Sequence, residues 1–322
     1  MVKMPDIGIL CRDDFTGLSI QTQELAKYMS AKVLYVDLSR LGLRKPLRTP
    51  MWTAPNYPTR LNEPDEQLDA FLDGLDVVIT AETPYNYWLY TRCKERGIQS
   101  IVIANPEFFD HFIMNLPTPD IVVLPTTWHE DKFRDYNHVI IPHPYPEWEG
   151  YKRSSMDNIL HVRGTGAMPD RAGTSIVDAC AKDYNITCKT QTQNITTQNL
   201  EVIECCPVDR KLIYDGYDLL FLPRRFGGQC LPMQEALSLG MPVLMLDVEP
   251  QRWLPDEMKI NAFKESELRT RLPIDVYSAA PANALNSLKI LENNFERMSE
   301  HALMISAMNQ WESIKYKWEQ IL

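Results

Sequence analysis

The sequence predicts an α/β chain of two domains, each built on a parallel sheet, with a helical C-terminal tail. Three observations carry this. Short runs rich in Val and Ile alternate with helix-period segments along most of the chain, and fully buried strands separated by helices are the pattern of a parallel sheet. The rhythm breaks at 142–153 (PHPYPEWEGYKR), where three prolines and a glycine mark a linker. Beyond 282 no strand-like run recurs. There Leu288, Leu291, Phe295, Met298, Ala302, Ile305 and Met308 keep the spacing of one helix face. A length of 322 residues suits two domains.

Before the linker, strands are predicted at 7–11, 32–37, 76–80, 98–104, 120–124 and 138–141, with helices at 18–29, 65–75, 87–96 and 128–136. After it, strands are predicted at 159–163, 186–190, 201–205, 218–222 and 242–247, with helices at 171–184, 209–214 and 232–239. The expected division is 1–145, 154–300 and a C-terminal helix, 301–322, packed back on the protein.

The chain carries 33 Lys and Arg against 43 Asp and Glu, a net charge of −10. A protein that coats nucleic acid along its whole surface is thereby excluded, though a local basic patch is not. Seven cysteines, several inside apolar runs and none in a CxxC pair, suit reduced thiols and disfavour structural zinc. No run approaches the roughly 18 apolar residues of a membrane span. No secretory leader is legible at the N-terminus. The expectation is a soluble cytoplasmic protein.

The richest stretch is 218–247 (DLLFLPRRFGGQCLPMQEALSLGMPVLMLD): a strand, a glycine turn, a helix and a second strand. Pro232 suits the first turn of that helix and Gly240 its end. The helix N-terminus then stands at the carboxyl end of the preceding strand, where open α/β sheets hold ligands. Its unpaired N–H groups favour an anion such as a diphosphate. Glu235, one turn in, suits the hydroxyls of a ribose.

From Gly227 to Val243 the chain reads GGQCLPMQEALSLGMPV. This resembles the nucleotide-sugar site of family 4 glycosyltransferases and their relatives, E-G-F-G-L-P-x-x-E-A-x-x-x-G-x-P-V. Leu231-Pro232, Glu235, Ala236, Gly240 and Pro242-Val243 carry the likeness. The motif is similar above all to that of short phage-encoded glycosyltransferases, which have a run like L-P-R-R-Y/F-G-G-x-C-L-P. The resemblance implies the GT-B architecture of two facing Rossmann-like domains, with the acceptor on the N-terminal one. It implies a nucleotide-sugar donor, UDP-sugar foremost, transfer with retention of configuration, and no required metal or other cofactor.

Donor contacts follow residue by residue from that resemblance. Glu235 matches the family's second glutamate and would hold the ribose. Gly227 stands where the first glutamate is expected. Its backbone N–H, with that of Gly228, would serve the donor, or Gly227-Gly228 is a tight turn only; Gln229, Cys230 and Leu231 are donor-binding candidates beside them. In HVRGTGAMPDRAG, Arg163, Gly164 and Arg171 match the diphosphate-binding loop, while Arg171 also reads as a solvated first-turn residue. Cations suit a leaving diphosphate that gains charge as the sugar bond breaks.

In the N-terminal half, Gly17 occupies the family's glycine loop before the first helix. Asp14, Glu107 and His111 are the catalytic candidates near the transferred sugar. Asp14 also reads as a capping residue, and His111 as an ordinary helix-face histidine. The segment 39–62 carries five Lys or Arg and no acid. Its Arg44, Lys45, Arg48, Trp52 and Tyr57 suit an anionic acceptor, because cations meet phosphates and aromatics stack on bases. The resemblance to phage-encoded enzymes implies, as the best-fitting acceptor, a hydroxymethylated pyrimidine of phage DNA. A glycan, lipid or protein hydroxyl and a solvent-exposed proline-rich loop stay open, as does a non-catalytic nucleotide-sugar-binding protein. A nicotinamide dehydrogenase is disfavoured because no GxGxxG follows a strand.

Overall fold

Strands of Val, Ile and Leu that bury both faces need helices on each side of the sheet, and the chain builds two such sheets. The computed structural model describes residues 5–37, 65–86, 88–109, 117–165, 170–192, 195–269 and 272–322, and the backbone of 51–53. The chain divides into two units, Met1–His143 with Ile314–Leu322, and Pro144–Ser313. None of the described helices is long and apolar enough to cross a membrane.

In the first unit the strands are β1 (Ile7–Arg12), β2 (Lys32–Asp37), β3 (Met51–Thr53), β4 (Val77–Ala81), β5 (Gln99–Ile103), β6 (Ile121–Leu124) and β7 (His138–Ile140). They form a parallel sheet in the order β3-β2-β1-β4-β5-β6-β7. Its helices are α1 (Gly17–Tyr28), α2 (Glu66–Leu72) and α3 (Trp88–Arg96). Thr16 caps α1 by accepting from the Ser19 N–H, and Asp65 caps α2 through the Leu68 N–H. The strand order reverses between β1 and β4, which is where a doubly wound sheet opens a crevice.

The second unit repeats the scheme with β8 (Ile159–Gly164), β9 (Ile186–Thr190), β10 (Glu201–Glu204), β11 (Leu219–Phe221), β12 (Val243–Leu246) and β13 (Lys259–Ile260), ordered β10-β9-β8-β11-β12-β13. Its switch point lies between β8 and β11. Helices α4 (Thr174–Cys180), α5 (Leu231–Ser238), α6 (Pro281–Asn293) and α7 (Phe295–Asn309) pack on it, and α8 (Trp311–Glu319) follows. Five of the seven cysteines are buried.

Several sequence expectations are corrected. The helix expected at 128–136 is a single 3₁₀ turn, Glu130–Phe133. Only Phe133 is buried in that turn, so no apolar stripe propagates it. The helix at 209–214 is likewise a 3₁₀ turn, Arg210–Ile213. The helix at 171–184 starts at Thr174 instead. A hairpin, β14 (Phe263–Arg269) and β15 (Pro273–Ser278), went unread because β14 is polar and almost wholly exposed. Residues 142–153 do lack helix and strand, yet they are fastened down. Arg153 is buried, its N–H donates to Ser299 Oγ at 2.8 Å, and its guanidinium donates to the Leu239 carbonyl. Part of the basic segment is the edge strand β3, with Trp52 opposite Val36.

One buried residue locks the floor of the second switch point. His161 on β8 is fully buried. Its Nδ1 lies 2.9 Å from the Phe221 carbonyl at the end of β11, and its Nε2 lies 2.9 Å from Thr174 Oγ1 at the start of α4. A carbonyl only accepts, so Nδ1 carries the proton and Nε2 accepts from the threonine hydroxyl. Burial pushes the imidazole down to about 4, so it is neutral in the folded protein.

An unfolded histidine takes a proton below pH about 6.5, whereas His161 in the fold refuses one until about 4. Stability is therefore full above 6.5 and falls as pH drops toward 4, by about 3 kcal/mol from this group. Urea unfolding of wild type and His161→Gln across that range should show the wild-type slope flattened in the variant. Parallel slopes would refute a neutral His161.

Candidate functional site

The strands β8 and β11 are neighbours; residues 170–173 precede α4, and the loop 222–230 joins β11 to α5. The second loop is shaped by arginine. Arg224 is buried; its Nε donates to the Phe226 carbonyl at 3.1 Å and its Nη1 to the Gln229 carbonyl. Gln251 Nε2 donates to the Gly228 carbonyl at 3.4 Å. With these carbonyls accounted for, no carbonyl among the described residues accepts from the N–H of Gly227, Gly228, Gln229 or Cys230. Cys230 is the N-cap of α5 with no side-chain cap, Leu231 opens the helix, and Pro232 follows. Consecutive unpaired amides at a helix start form an anion cradle.

Gly227 adopts φ +111°, a left-handed conformation that suits glycine. A Cβ there would collide with the guanidinium groups of Arg171 and Arg224, so two cations converge on this glycine. Arg171 stands three residues before α4, not in its first turn. It lies over the Phe226 ring at 5.3 Å, and its Nε is 3.4 Å from the Phe226 carbonyl. Its own carbonyl accepts from the Arg225 N–H at 2.9 Å, which joins the two loops. Arg163 and Gly164 end β8, and Arg163 Nη1 is buried with no partner among the described residues. Arg225 fixes the loop from outside: its Nε donates to the Tyr277 carbonyl at 2.9 Å and it pairs with Glu265 of β14.

Glu235 sits a full turn into α5, 1% exposed. Arg210 grips it bidentately, Nε to Oε1 at 2.6 Å and Nη2 to Oε2 at 2.7 Å, and Tyr214 Oη donates to Oε2. Burial and the glutamate's negative charge hold the Tyr214 phenol protonated, far above its usual range. The carboxylate is therefore paired with Arg210 and held by three hydrogen bonds. Arg210, Tyr214 and Arg224 were all missed as site residues. The paired arginines before the double glycine were a signal for Arg224. Nothing local marks Arg210 or Tyr214 as partners of Glu235.

In the first unit, Asp14 is buried and ion-paired to Arg12, with Nε–Oδ2 at 2.8 Å, and it accepts from the Thr16 N–H at 2.9 Å. Gly17 is the first, exposed residue of α1. Glu107 is buried in the 3₁₀ turn Pro106–Phe108. Asn105 Nδ2 donates to Glu82 Oε1 at 2.8 Å, and Glu82 was not among the expected residues. His111, Arg44, Lys45, Arg48 and Tyr57 lie outside the described residues, and Trp52 is described by its backbone alone. Among the described residues, no group of three or more His, Cys, Asp or Glu is placed to hold a metal ion.

Comparison with solved structures finds the same fold of two parallel α/β units. Anabaena HepE in complex with UDP matches with a TM-score of 0.66 and 8% identity, over 99% of this chain and 99% of that one. The catalytic domain of starch synthase IV from Arabidopsis thaliana, bound to ADP and acarbose, matches with 0.61 and 10%, over 99% and 98%. The pneumococcal O-GlcNAc transferase GtfA, in complex with UDP and GlcNAc, matches with 0.56 and 14% over 76% of this chain. The chain spans only 54% to 58% of the length of the GtfA and TarM chains it matches. No protein-family model and no curated protein sequence matches it.

Removing one partner of a buried ion pair strands the other charge. Glu235→Ala should therefore cost about 3–5 kcal/mol of unfolding free energy. Arg210→Ala should cost a similar amount, and the double variant much less than their sum. Urea titrations of the three variants decide this; strictly additive losses would show that the two side chains do not act as a pair.

Proposed function

We propose that the chain is a glycosyltransferase that moves a sugar from a nucleotide-sugar, a UDP-sugar foremost, to a hydroxyl acceptor. One observation carries this: Arg171 and Arg224 converge on a left-handed glycine, the first of four consecutive residues before α5 whose backbone amides meet no carbonyl among the described residues. That cradle fits a diphosphate. The fold is shared with structures solved with UDP or ADP, which supports the reading.

In this mechanism the bond from the anomeric carbon to the diphosphate oxygen breaks, and a bond from that carbon to the acceptor oxygen forms. The leaving phosphate gains negative charge, which the two guanidinium groups and the loop amides stabilise without reorganising. The acceptor's proton passes to the leaving phosphate oxygen, with attack on the same face and retention of configuration. The nucleoside end falls to the Arg210–Glu235 pair, in which Glu235 acts by holding Arg210 in place. Asp14, Glu107 and His111 stay candidates on the acceptor side. The acceptor proposed from the basic and aromatic side chains of segment 39–62 and from the resemblance to phage-encoded enzymes is a hydroxymethylated pyrimidine of DNA.

Calorimetry with UDP tests the donor site. Arg224→Ala and Gly227→Ala should each weaken UDP binding by about tenfold or more, through loss of a charge-assisted contact or a blocked cradle. Equal affinity in wild type and both variants would remove the cradle from the site. Incubation with radiolabelled UDP-sugar and either hydroxymethylated DNA or free glycans then reads the acceptor. Tight UDP binding with neither transfer nor hydrolysis would favour a non-catalytic nucleotide-sugar-binding protein.

A further inference from the structure

We infer that Gln229 reads the hydroxyls of the donor's transferred sugar, an inference that rests on the nucleotide-sugar reading above. Its side-chain Nε2 and Oε1 are both buried, and neither has a hydrogen-bond partner among the described residues. Three carbonyls of its loop are held by side chains. The carbonyls of Phe226 and Gln229 are held by Arg224, and that of Gly228 by Gln251. The side-chain amide of Gln229 is thus a buried polar pair without a partner among the described residues, next to the unpaired backbone amides of the same turn. Leaving such a group unpaired is costly, so native proteins seldom do it without a use for it.

The chemistry of the group selects its partner. A carboxamide offers one donor end and one acceptor end about 2 Å apart. A phosphate only accepts at its charged oxygens, so it would satisfy Nε2 and repel Oε1. Arg171, Arg224 and the loop amides suit it better. A hydroxyl both donates and accepts, and two neighbouring sugar hydroxyls match both ends of the amide.

Position agrees with chemistry. Along the chain the order is Gln229, then the unpaired start of α5, then Glu235 with Arg210 a turn further on. The diphosphate belongs at the helix start and the nucleoside at Arg210, which leaves the sugar for Gln229. The same geometry explains why that contact must come from Gln229. Gly227, two residues earlier, has no side chain, and the two guanidinium groups occupy the space a longer one would need.

The test uses full-length wild type and Gln229→Met, which keeps the shape and removes both polar ends. Binding of UDP, UDP-glucose, UDP-galactose and UDP-N-acetylglucosamine is measured by calorimetry, and unfolding temperature is measured without ligand. UDP should bind both proteins within about twofold. The wild-type preference among the three sugars should shrink by about tenfold or more in the variant, the worth of one or two hydrogen bonds. The unliganded variant should melt higher than wild type, because an unpaired buried amide has been removed. A lower melting temperature, an unchanged sugar preference, or parallel loss of UDP and all three UDP-sugars would each overturn the assignment. Failure of the wild type to bind UDP would instead overturn the nucleotide-sugar reading, and this assignment with it.

Discussion

The second unit depends on how Arg224 turns its loop. A chain leaving β11 must reverse within nine residues to start α5 against the same sheet. Left alone, its carbonyls and amides would compete for the same space. By taking the Phe226 and Gln229 carbonyls, a single buried guanidinium leaves the amides of 227–230 on offer. The positive charge then serves twice, as scaffold for the turn and as part of the field at its mouth. Arg225, next in sequence, ties the same turn outward to β15 and β14, so the loop is held from both sides.

Beneath it, His161 makes the strand ends a fixed platform. One imidazole bridges the last carbonyl of β11 and the first turn of α4. The two loops that supply Arg171 and Arg224 are thereby anchored to one point. Arg210 and Glu235 play a comparable part a turn away, joining the segment after β10 to α5. The polar groups of this unit thus act in pairs that span strands and helices.

What could be read from the sequence follows from range. The strands 7–11 and 120–124 were legible because double-sided burial favours apolar runs such as IGILC and IVVL. The start of α5 at Leu231-Pro232, and its end before Gly240 at φ +67°, were legible because Pro and Gly act through their own backbone. The 3₁₀ turns at 130–133 and 210–213 were overread as helices because short polar segments carry no period to judge. Glu235 was found, but its bond to Arg210 was not, since 25 residues separate the partners and only the fold joins them. The hairpin β14–β15 was invisible because its exposed strand has no apolar alternation.

The departure at Gly227 takes a physical meaning from this arrangement. A glutamate there would place a carboxylate against Arg171 and Arg224 and neutralise the charges that a diphosphate needs. It would also have to adopt φ +111°, which costs a non-glycine residue free energy. Glycine at this point and two arginines around it are therefore one choice. The arginines fill the room that a side chain would take, and the glycine keeps them cationic. In a chain of net charge −10, whose overall field repels a polyanion, the diphosphate proposed for this loop would rely on this local concentration of positive charge. The positive charge at this loop is local, set by Arg171 and Arg224 around a position with no side chain.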